Sequence, residues 1–286
     1  MGEAKRRMNG DKNQFDRLNK ELTDLGVKTD QFGFCDEREF LAAERSNPTI
    51  LETYAKWVML RPRDANYDAH VNRIVPKLAQ LVAAVLEEDE LEGSCEMACS
   101  LLTKSLDRLG VWSVGIVGSS TFEVKGKNIW RGLHTVDRPD FPGARLGHTW
   151  VCAPPFIVVD ASIKRQRWSG DAIYPYVPSI ILDNHGQKTK PTPKDVISSE
   201  IRGEMMMVHG TIPDGVIYQR EPNLKKFSET FPATEVMVDE LTARYIPTAA
   251  SLADGTLEEI NGGGDKGRIG REIWNDVIMP AFNVKQ

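Results

Sequence analysis

A chain of 286 residues with 41% apolar residues, 27% charged residues and a formal net charge of -5 has the composition of a folded globular protein. This composition excludes a disordered or fibrous chain, and the negative net charge argues against nucleic acid as a partner. No apolar run follows the basic residues near the start or reaches the length of a membrane span, so we expect a cytoplasmic protein with no membrane partner.

The N-terminal third of the chain is predicted to be mostly helical. Apolar residues from Phe15 to Leu25 recur at helical spacing and stop at Gly26, which is typical of a helix that ends in a glycine cap. Two further helical patterns follow, in "NPTILETYAKWVML" and from about residue 69 to 90. Pro76, near the beginning of the pattern at residues 69–90, marks either a kink in this helix or its true first turn.

The run "EGSCEMACSLL", residues 92–102, places a turn of small residues before an apolar helix. Unpaired backbone N–H groups and the helix dipole favour a thiolate at the start of a helix, where Cys95 lies. The room left by Gly93 and Ser94, together with those N–H groups, suits a substrate carbonyl and its oxyanion. The predicted buried stripe of this helix consists of Cys95, Ala98, Cys99, Leu102, Leu106 and Leu109.

Strand patterns follow this helix. "VWSVGIVGSSTFEVKG" has the β-branched and aromatic character of a strand pair, and "GHTWVCAP" and "FIVVDASI" predict two neighbouring strands joined at Pro154-Pro155. His148 and Asp160 take corresponding positions on these two strands, so antiparallel pairing would bring their side chains together. Trp150 shares a strand face with His148, where we expect it to exclude water from the site.

Beyond Trp168 the sequence is less periodic. Short strand or helix patterns occur in "AIYPYVPSIIL", "MMMVHGTIPDGVIYQ" and "TEVMVDEL", and "REIWNDVIMPAF" predicts a last amphipathic helix. We therefore expect an α+β chain with a helical N-terminal extension (1–64), a core (65–175) and a mixed α/β C-terminal elaboration (176–286) that packs over the cleft.

Cys95, His148 and Asp160 have the residue types of a nucleophilic triad. An imidazole activates a thiol best when a third group fixes its tautomer and orientation, and a carboxylate does this well. In the predicted reaction the Cys95 thiolate attacks a carbonyl carbon, and His148 protonates the leaving amine and then activates water. This chemistry needs no metal and no cofactor, so we expect neither.

Three runs together, "GSCEMACSLLTKSLDRLGVWSVGIVG", "GHTWV" and "FIVVDASI", resemble the transglutaminase-like superfamily of papain-type thiol enzymes. The resemblance covers about residues 93–163. It implies a core in which the nucleophile helix packs on an antiparallel sheet, with Cys95 as nucleophile, His148 as base and acid, and Asp160 as the orienting carboxylate. Members of this superfamily include peptidases, amidases, deamidases and acyltransferases, so the acyl acceptor stays open.

The resulting functional prediction is a cysteine peptidase or amidase that acts on a protein, peptide or small amide substrate, with Gly93, Ser94 and Trp150 next to that substrate. Hydrolysis is the default because water needs no second binding site. The alternatives are an acyltransferase or transglutaminase that passes the acyl group to an amine, and a non-catalytic binding module on the same fold. The sequence does not predict the oligomeric state.

Two other patterns bear on the site. Cys95, Cys99, His148 and Cys152 are residue types that zinc accepts, which makes a metal site the rival interpretation of the same residues. His134, in "WRGLHTVDRPDFPG", is predicted to be a solvent-exposed loop histidine. The four cysteines, with Cys35, are too few and too irregularly spaced for a disulfide framework, so we expect free thiols.

Overall fold

The computed structural model describes residues 2–137, 145–168, 170–213, 215–253, 255–262 and 266–284. Its N-terminal third is helical, as predicted. The helices are α1 (Gly2–Asp24), α2 (Arg38–Ser46), α3 (Ile50–Leu60), α4 (Ala65–Glu88) and α5 (Cys95–Arg108), with a short 3-10 helix at Phe34–Asp36. The Asp64 side chain accepts from the Tyr67 backbone N–H at 2.8 Å and caps α4, so Pro76 lies inside that helix and does not mark its start.

The sheet strands are short except for two of 11 residues each. They are β1 (Val114–Val124), β2 (Ile129–Leu133), β3 (Val136–Asp137), β4 (Arg145–Leu146), β5 (His148–Ala153), β6 (Phe156–Asp160), β7 (Ile181–Asp183), β8 (Gln187–Lys188), β9 (Thr234–Val238) and β10 (Leu241–Ser251). Within the described residues, all of these strands except β3 and β4 form an eight-stranded antiparallel sheet. Its order is β7-β6-β5-β1-β10-β9-β8, and β2 also pairs with β1. β3 and β4 pair separately.

The strand pair predicted for residues 111–126 is wrong, because this run is the single strand β1. Its first half, from Val114 to Gly118, pairs with β5, and its second half, from Ser120 to Val124, pairs with β2 along the same edge. β10 covers the other edge over the whole length. An uninterrupted central strand satisfies its backbone groups on both edges, which a turn inside the run would prevent.

Helices cover both faces of the sheet. One buried cluster joins the N-terminal helices to Trp150 and Tyr245, and a second joins α4, α5 and the C-terminal helix to Val151 and Val159. Adjacent residues of a strand point to opposite faces, so Trp150 and Val151 belong to different clusters. The fold is therefore α+β, with the start of α5 held close to the strand that carries His148.

The remaining helices are short or lie near the C-terminus. They are α6 (Pro193–Val196), α7 (Ser199–His209), α8 (Val216–Arg220), α9 (Asn223–Phe227), α10 (Gly270–Glu272) and α11 (Met279–Ala281), with 3-10 helices at Ile163–Arg165, Tyr174–Tyr176 and Leu257–Glu259 and a π-helix at Ile273–Ile278. α10, the π-helix and α11 together form the helix predicted at the C-terminus. In the part of the chain that the structure describes, no helix combines the length and apolarity needed to cross a bilayer.

The sheet continues across the boundary proposed at residues 175 and 176. β10 comes from the C-terminal segment and lies beside β1 at the centre of the sheet. The C-terminal segment therefore completes the sheet that carries His148 and Asp160. The division into 1–64, 65–175 and 176–286 stays a prediction.

Candidate functional site

Cys95 is the first residue of α5, and the turn before it is held by the segment that follows β6. The Gly93 N–H donates to the Arg165 carbonyl oxygen at 2.8 Å. Gly93 has a φ of +66°, which favours glycine, and a Cβ there would meet Arg167 Nε at 3.3 Å. Ser94 precedes the helix but makes no side-chain cap. The first-turn N–H groups of α5 therefore lack intrahelical partners, beside the thiol.

His148 and Asp160 form a fully buried pair. His148 Nε2 lies 2.6 Å from Asp160 Oδ2, and neither side chain is exposed to solvent. Asp160 Oδ2 also accepts from the Tyr245 hydroxyl at 2.9 Å, while Oδ1 accepts from the backbone N–H and the hydroxyl of Ser162, both at 3.0 Å. Three protein donors besides the imidazole therefore hold the carboxylate, and the carboxylate in turn fixes the orientation of the ring.

The sulfur of Cys95 lies at the start of the strand that carries His148. Cys95 Sγ is 4.0 Å from the carbonyl oxygen of Gly147, the residue immediately before His148. Since Asp160 engages Nε2, the other ring nitrogen, Nδ1, has no hydrogen-bond partner among the described residues. Nδ1 is thus the nitrogen available to exchange a proton with Cys95. Contacts of this kind are often long in the absence of substrate and shorten when it binds.

The electrostatics favour an ion pair between thiolate and imidazolium. Burial raises the pKa of the Cys95 thiol, but the contact with His148, its positive charge and the hydrogen bonds of Thr149 together lower it by more, so the net pKa lies below its usual value. Burial lowers the pKa of His148, but Asp160 and Cys95 together raise it to about 10. Burial raises the pKa of Asp160, and the hydrogen bonds and charge of His148, with the Tyr245 hydroxyl, hold it below its usual range. These shifts favour the thiolate of Cys95, which is the reactive form of a thiol.

The other three cysteines lack this environment. Burial raises the pKa of Cys35 and Cys99 far above the usual value and that of Cys152 to about 12. Cys99 donates to the Trp150 carbonyl oxygen at 3.7 Å, and Cys152 to the Phe156 carbonyl oxygen at 3.5 Å. These thiols are buried small apolar groups, whereas the pKa of Cys95 is lowered beside His148.

The structure does not gather the four residues of the zinc interpretation into one cluster. Within the described ranges, no group of three or more His, Cys, Asp or Glu side chains is arranged to hold a metal ion. The reason is the direction of the thiols: Cys99 is directed to the backbone of β5, and Cys152 lies 3.1 Å from Met59 Sδ.

Trp150 is almost completely buried and lies behind His148. Its ring stacks on the imidazole with centroids 6.2 Å apart and an interplanar angle of 30°, and it contacts the Tyr245 ring at 5.0 Å. Phe122 approaches the imidazole edge-on at 6.4 Å. These rings exclude water from one side of His148. Contact of substrate with Gly93, Ser94 or Trp150 stays a prediction.

His134 is half-buried, which corrects the prediction of an exposed loop histidine. Its Nε2 lies 3.0 Å from the carbonyl oxygen of Lys194, in α6, and burial lowers its pKa. The sequence placed no element over this loop, and α6 covers it.

Sequence reasoning missed two residues of the site, Tyr245 and Ser162. Tyr245 lies on β10, where Leu241, Ala243 and Tyr245 alternate as buried residues, and that period of two was a usable strand signal. Ser162 follows Asp160 by two residues, a spacing at which an aspartate commonly accepts from the backbone.

No protein-family model, no curated protein and no solved structure matches this chain.

Proposed function

We propose that this chain is a cysteine-dependent amide hydrolase, a peptidase or amidase of the transglutaminase-like type, with Cys95 as nucleophile, His148 as base and acid, and Asp160 as the orienting group. The observation that carries the proposal is the combination of a thiol with a lowered pKa at the start of α5 and a fully buried His148–Asp160 pair on β5 and β6. A carboxylate buried in this way is costly unless it has partners, and here each of its oxygens accepts hydrogen bonds.

The reaction begins with the ion pair. The Cys95 thiolate attacks the carbonyl carbon of the substrate, and the first-turn N–H groups of α5 stabilise the resulting oxyanion. His148 Nδ1 then gives its proton to the amide nitrogen as the C–N bond breaks, which releases an amine and leaves a thioester on Cys95.

The second half returns the enzyme to its starting state. Water loses a proton to His148 Nδ1 as its oxygen attacks the thioester carbonyl. The C–S bond breaks, a carboxylic acid leaves, and Cys95 is again a thiolate beside an imidazolium. Asp160 keeps the same ring orientation through both halves and stabilises the charge on the ring.

The test compares the wild type with Cys95→Ala and Cys99→Ala. Cys99 lies one turn further along α5, so its variant is a matched control that removes a buried thiol of raised pKa from the same helix. Each purified protein is incubated with a cell lysate, and mass spectrometry then counts new peptide ends, deamidated side chains and isopeptide bonds.

We expect new peptide ends or deamidation with the wild type and with Cys99→Ala, and neither with Cys95→Ala. Incorporation of an added primary amine in place of water would instead assign the chain to the acyltransferases. Equal profiles for a folded Cys95→Ala protein and the wild type would reject cysteine-dependent catalysis and leave the binding module.

A further inference from the structure

Gln166 carries a buried amide close to the carboxylate of the site. It follows the 3-10 helix Ile163–Arg165, and its Nε2 lies 3.2 Å from both the carbonyl oxygen and the hydroxyl oxygen of Ser162. A backbone carbonyl oxygen only accepts hydrogen bonds, so the atom beside it is the amide nitrogen and not the amide oxygen. The two hydrogens of the Gln166 amide therefore serve the two oxygens of Ser162.

The contact with Gln166 determines where the Ser162 hydroxyl donates. A hydroxyl has a single proton, and Gln166 already donates to its oxygen. Ser162 Oγ lies 3.0 Å from Asp160 Oδ1, which also accepts from the Ser162 backbone N–H at 3.0 Å. The hydroxyl proton therefore points at the carboxylate, and accepting from the amide polarises the O–H bond so that it donates more strongly.

Donors to Asp160 decide which member of the buried pair holds the proton. Burial of both groups favours the neutral form, in which the proton lies on the carboxyl group and the imidazole is uncharged. The donors from Ser162 and Tyr245 favour the ionised carboxylate instead. The proton then stays on His148, and the thiol of Cys95 keeps a positive charge beside it.

We infer that Gln166 is a positioning residue of the proposed catalytic site, which directs the Ser162 hydroxyl to Asp160. Through this hydroxyl it favours the charged imidazole of His148 and the thiolate of Cys95, a consequence that rests on the roles proposed for those residues. A merely structural amide would hold the turn after β6 by its bond to the Ser162 carbonyl oxygen. Its loss would then change stability and leave the ionisation of Cys95 as it is.

The test is the pH dependence of iodoacetamide labelling of Cys95, in full chains that carry Cys99→Ala so that one thiol of α5 reports. Gln166→Met removes the amide and keeps an unbranched side chain of similar length. We expect the pH of half-maximal labelling to rise by at least about 0.3 unit in Gln166→Met and at least about 0.5 unit in Ser162→Ala. The double variant should match Ser162→Ala, because the amide acts through the hydroxyl.

Thr103→Val is the matched control. It removes a buried hydroxyl that donates to the Cys99 carbonyl oxygen at 3.0 Å, on the same helix as Cys95, and it should leave the labelling profile in place. If Gln166→Met does not fold, Gln166→Asn is measured instead with the same expectation, since it keeps a polar amide but shortens the side chain by one methylene.

A profile of the folded Gln166 variant that overlays the wild type or moves to lower pH would overturn the inference. A further rise when the variant is added to Ser162→Ala would overturn it too, because the amide would then act by another route. Failure of the proposed function has a different signature, which is half-maximal labelling of wild-type Cys95 at or above the pH of a free thiol, about 8.5.

Discussion

Asp160→Asn tests the central electrostatic claim because it removes one charge and changes little in shape. In the wild type, Asp160 and Cys95 oppose the effect of burial and raise the pKa of His148 from 6.5 to about 10. At 1.36 kcal/mol per pH unit, this corresponds to roughly 5 kcal/mol in favour of the protonated ring. Most of that free energy depends on the carboxylate, since it lies 2.6 Å from Nε2.

Without the carboxylate, burial dominates and the pKa of His148 falls, so the ring is neutral near pH 7. Cys95 then loses the positive charge that keeps its pKa below the usual value. We expect the pH at which its alkylation rate is half-maximal to rise by about one unit or more in Asp160→Asn, with a lower rate at neutral pH.

The assay is the pH dependence of iodoacetamide labelling, followed by mass spectrometry. Cys95 and Cys99 fall in the same tryptic peptide, residues 78–104, so all proteins carry Cys99→Ala to make the signal specific. Glu96→Gln is the matched control, because it removes an exposed carboxylate from the same helix turn and should shift the profile little. A profile of folded Asp160→Asn that overlays the wild type, or moves to lower pH, would show that the charge of Asp160 does not keep the pKa of Cys95 low.

Three further predictions concern single side chains. Tyr245→Phe removes a buried hydrogen bond to Asp160 and should lower the free energy of unfolding by about 1.5–3 kcal/mol in urea titrations. A decrease of less than about 0.5 kcal/mol would contradict this prediction. Gly93→Ala should lower the free energy of unfolding by about 1 kcal/mol in the same titration, because φ is +66° at this position and the added Cβ meets Arg167. The same change should slow the labelling of Cys95, and an unchanged labelling rate would disprove the role of the turn. Burial and the charge of Asp36 raise the pKa of Asp107 to about 8 in the folded protein. Because Asp107 then ionises at lower pH in the unfolded chain, the stability of the wild type should fall as pH rises from about 4 to about 8. Thermal melts of Asp107→Asn should show a smaller dependence of stability on pH over this range, and the same dependence in both proteins would exclude the effect.

The local elements could be predicted because their signals lie within one stretch of chain. Helical spacing located α4 and α5, Gly110 marked the end of α5, and the two runs around Pro154-Pro155 located β5 and β6. The antiparallel pairing of β5 with β6, with Val151 opposite Val159, follows from a short turn. The meeting of His148 and Asp160 is therefore a local consequence of sequence.

The centre of the sheet could not be predicted in the same way. β1 and β10 are separated by more than a hundred residues, and nothing in either run specifies the other as its partner. Tyr245 reaches Asp160 only because that distant pairing forms. The same limit explains why the cover over His134 was missed, since Lys194 lies 60 residues further along the chain.

One short segment, from Asp160 to Arg165, organises both halves of the candidate site. Asp160 holds the imidazole, Ser162 holds Asp160, and the Arg165 carbonyl oxygen accepts from the Gly93 N–H in the turn before Cys95. A change in this segment would move His148 and Cys95 together, because both are held by its groups. This segment thus adds a second link to the direct contacts of α5 with β5, in which Cys95 Sγ lies 4.0 Å from the Gly147 carbonyl oxygen and Cys99 Sγ lies 3.7 Å from the Trp150 carbonyl oxygen. The two links together hold groups that are 53 residues apart in sequence.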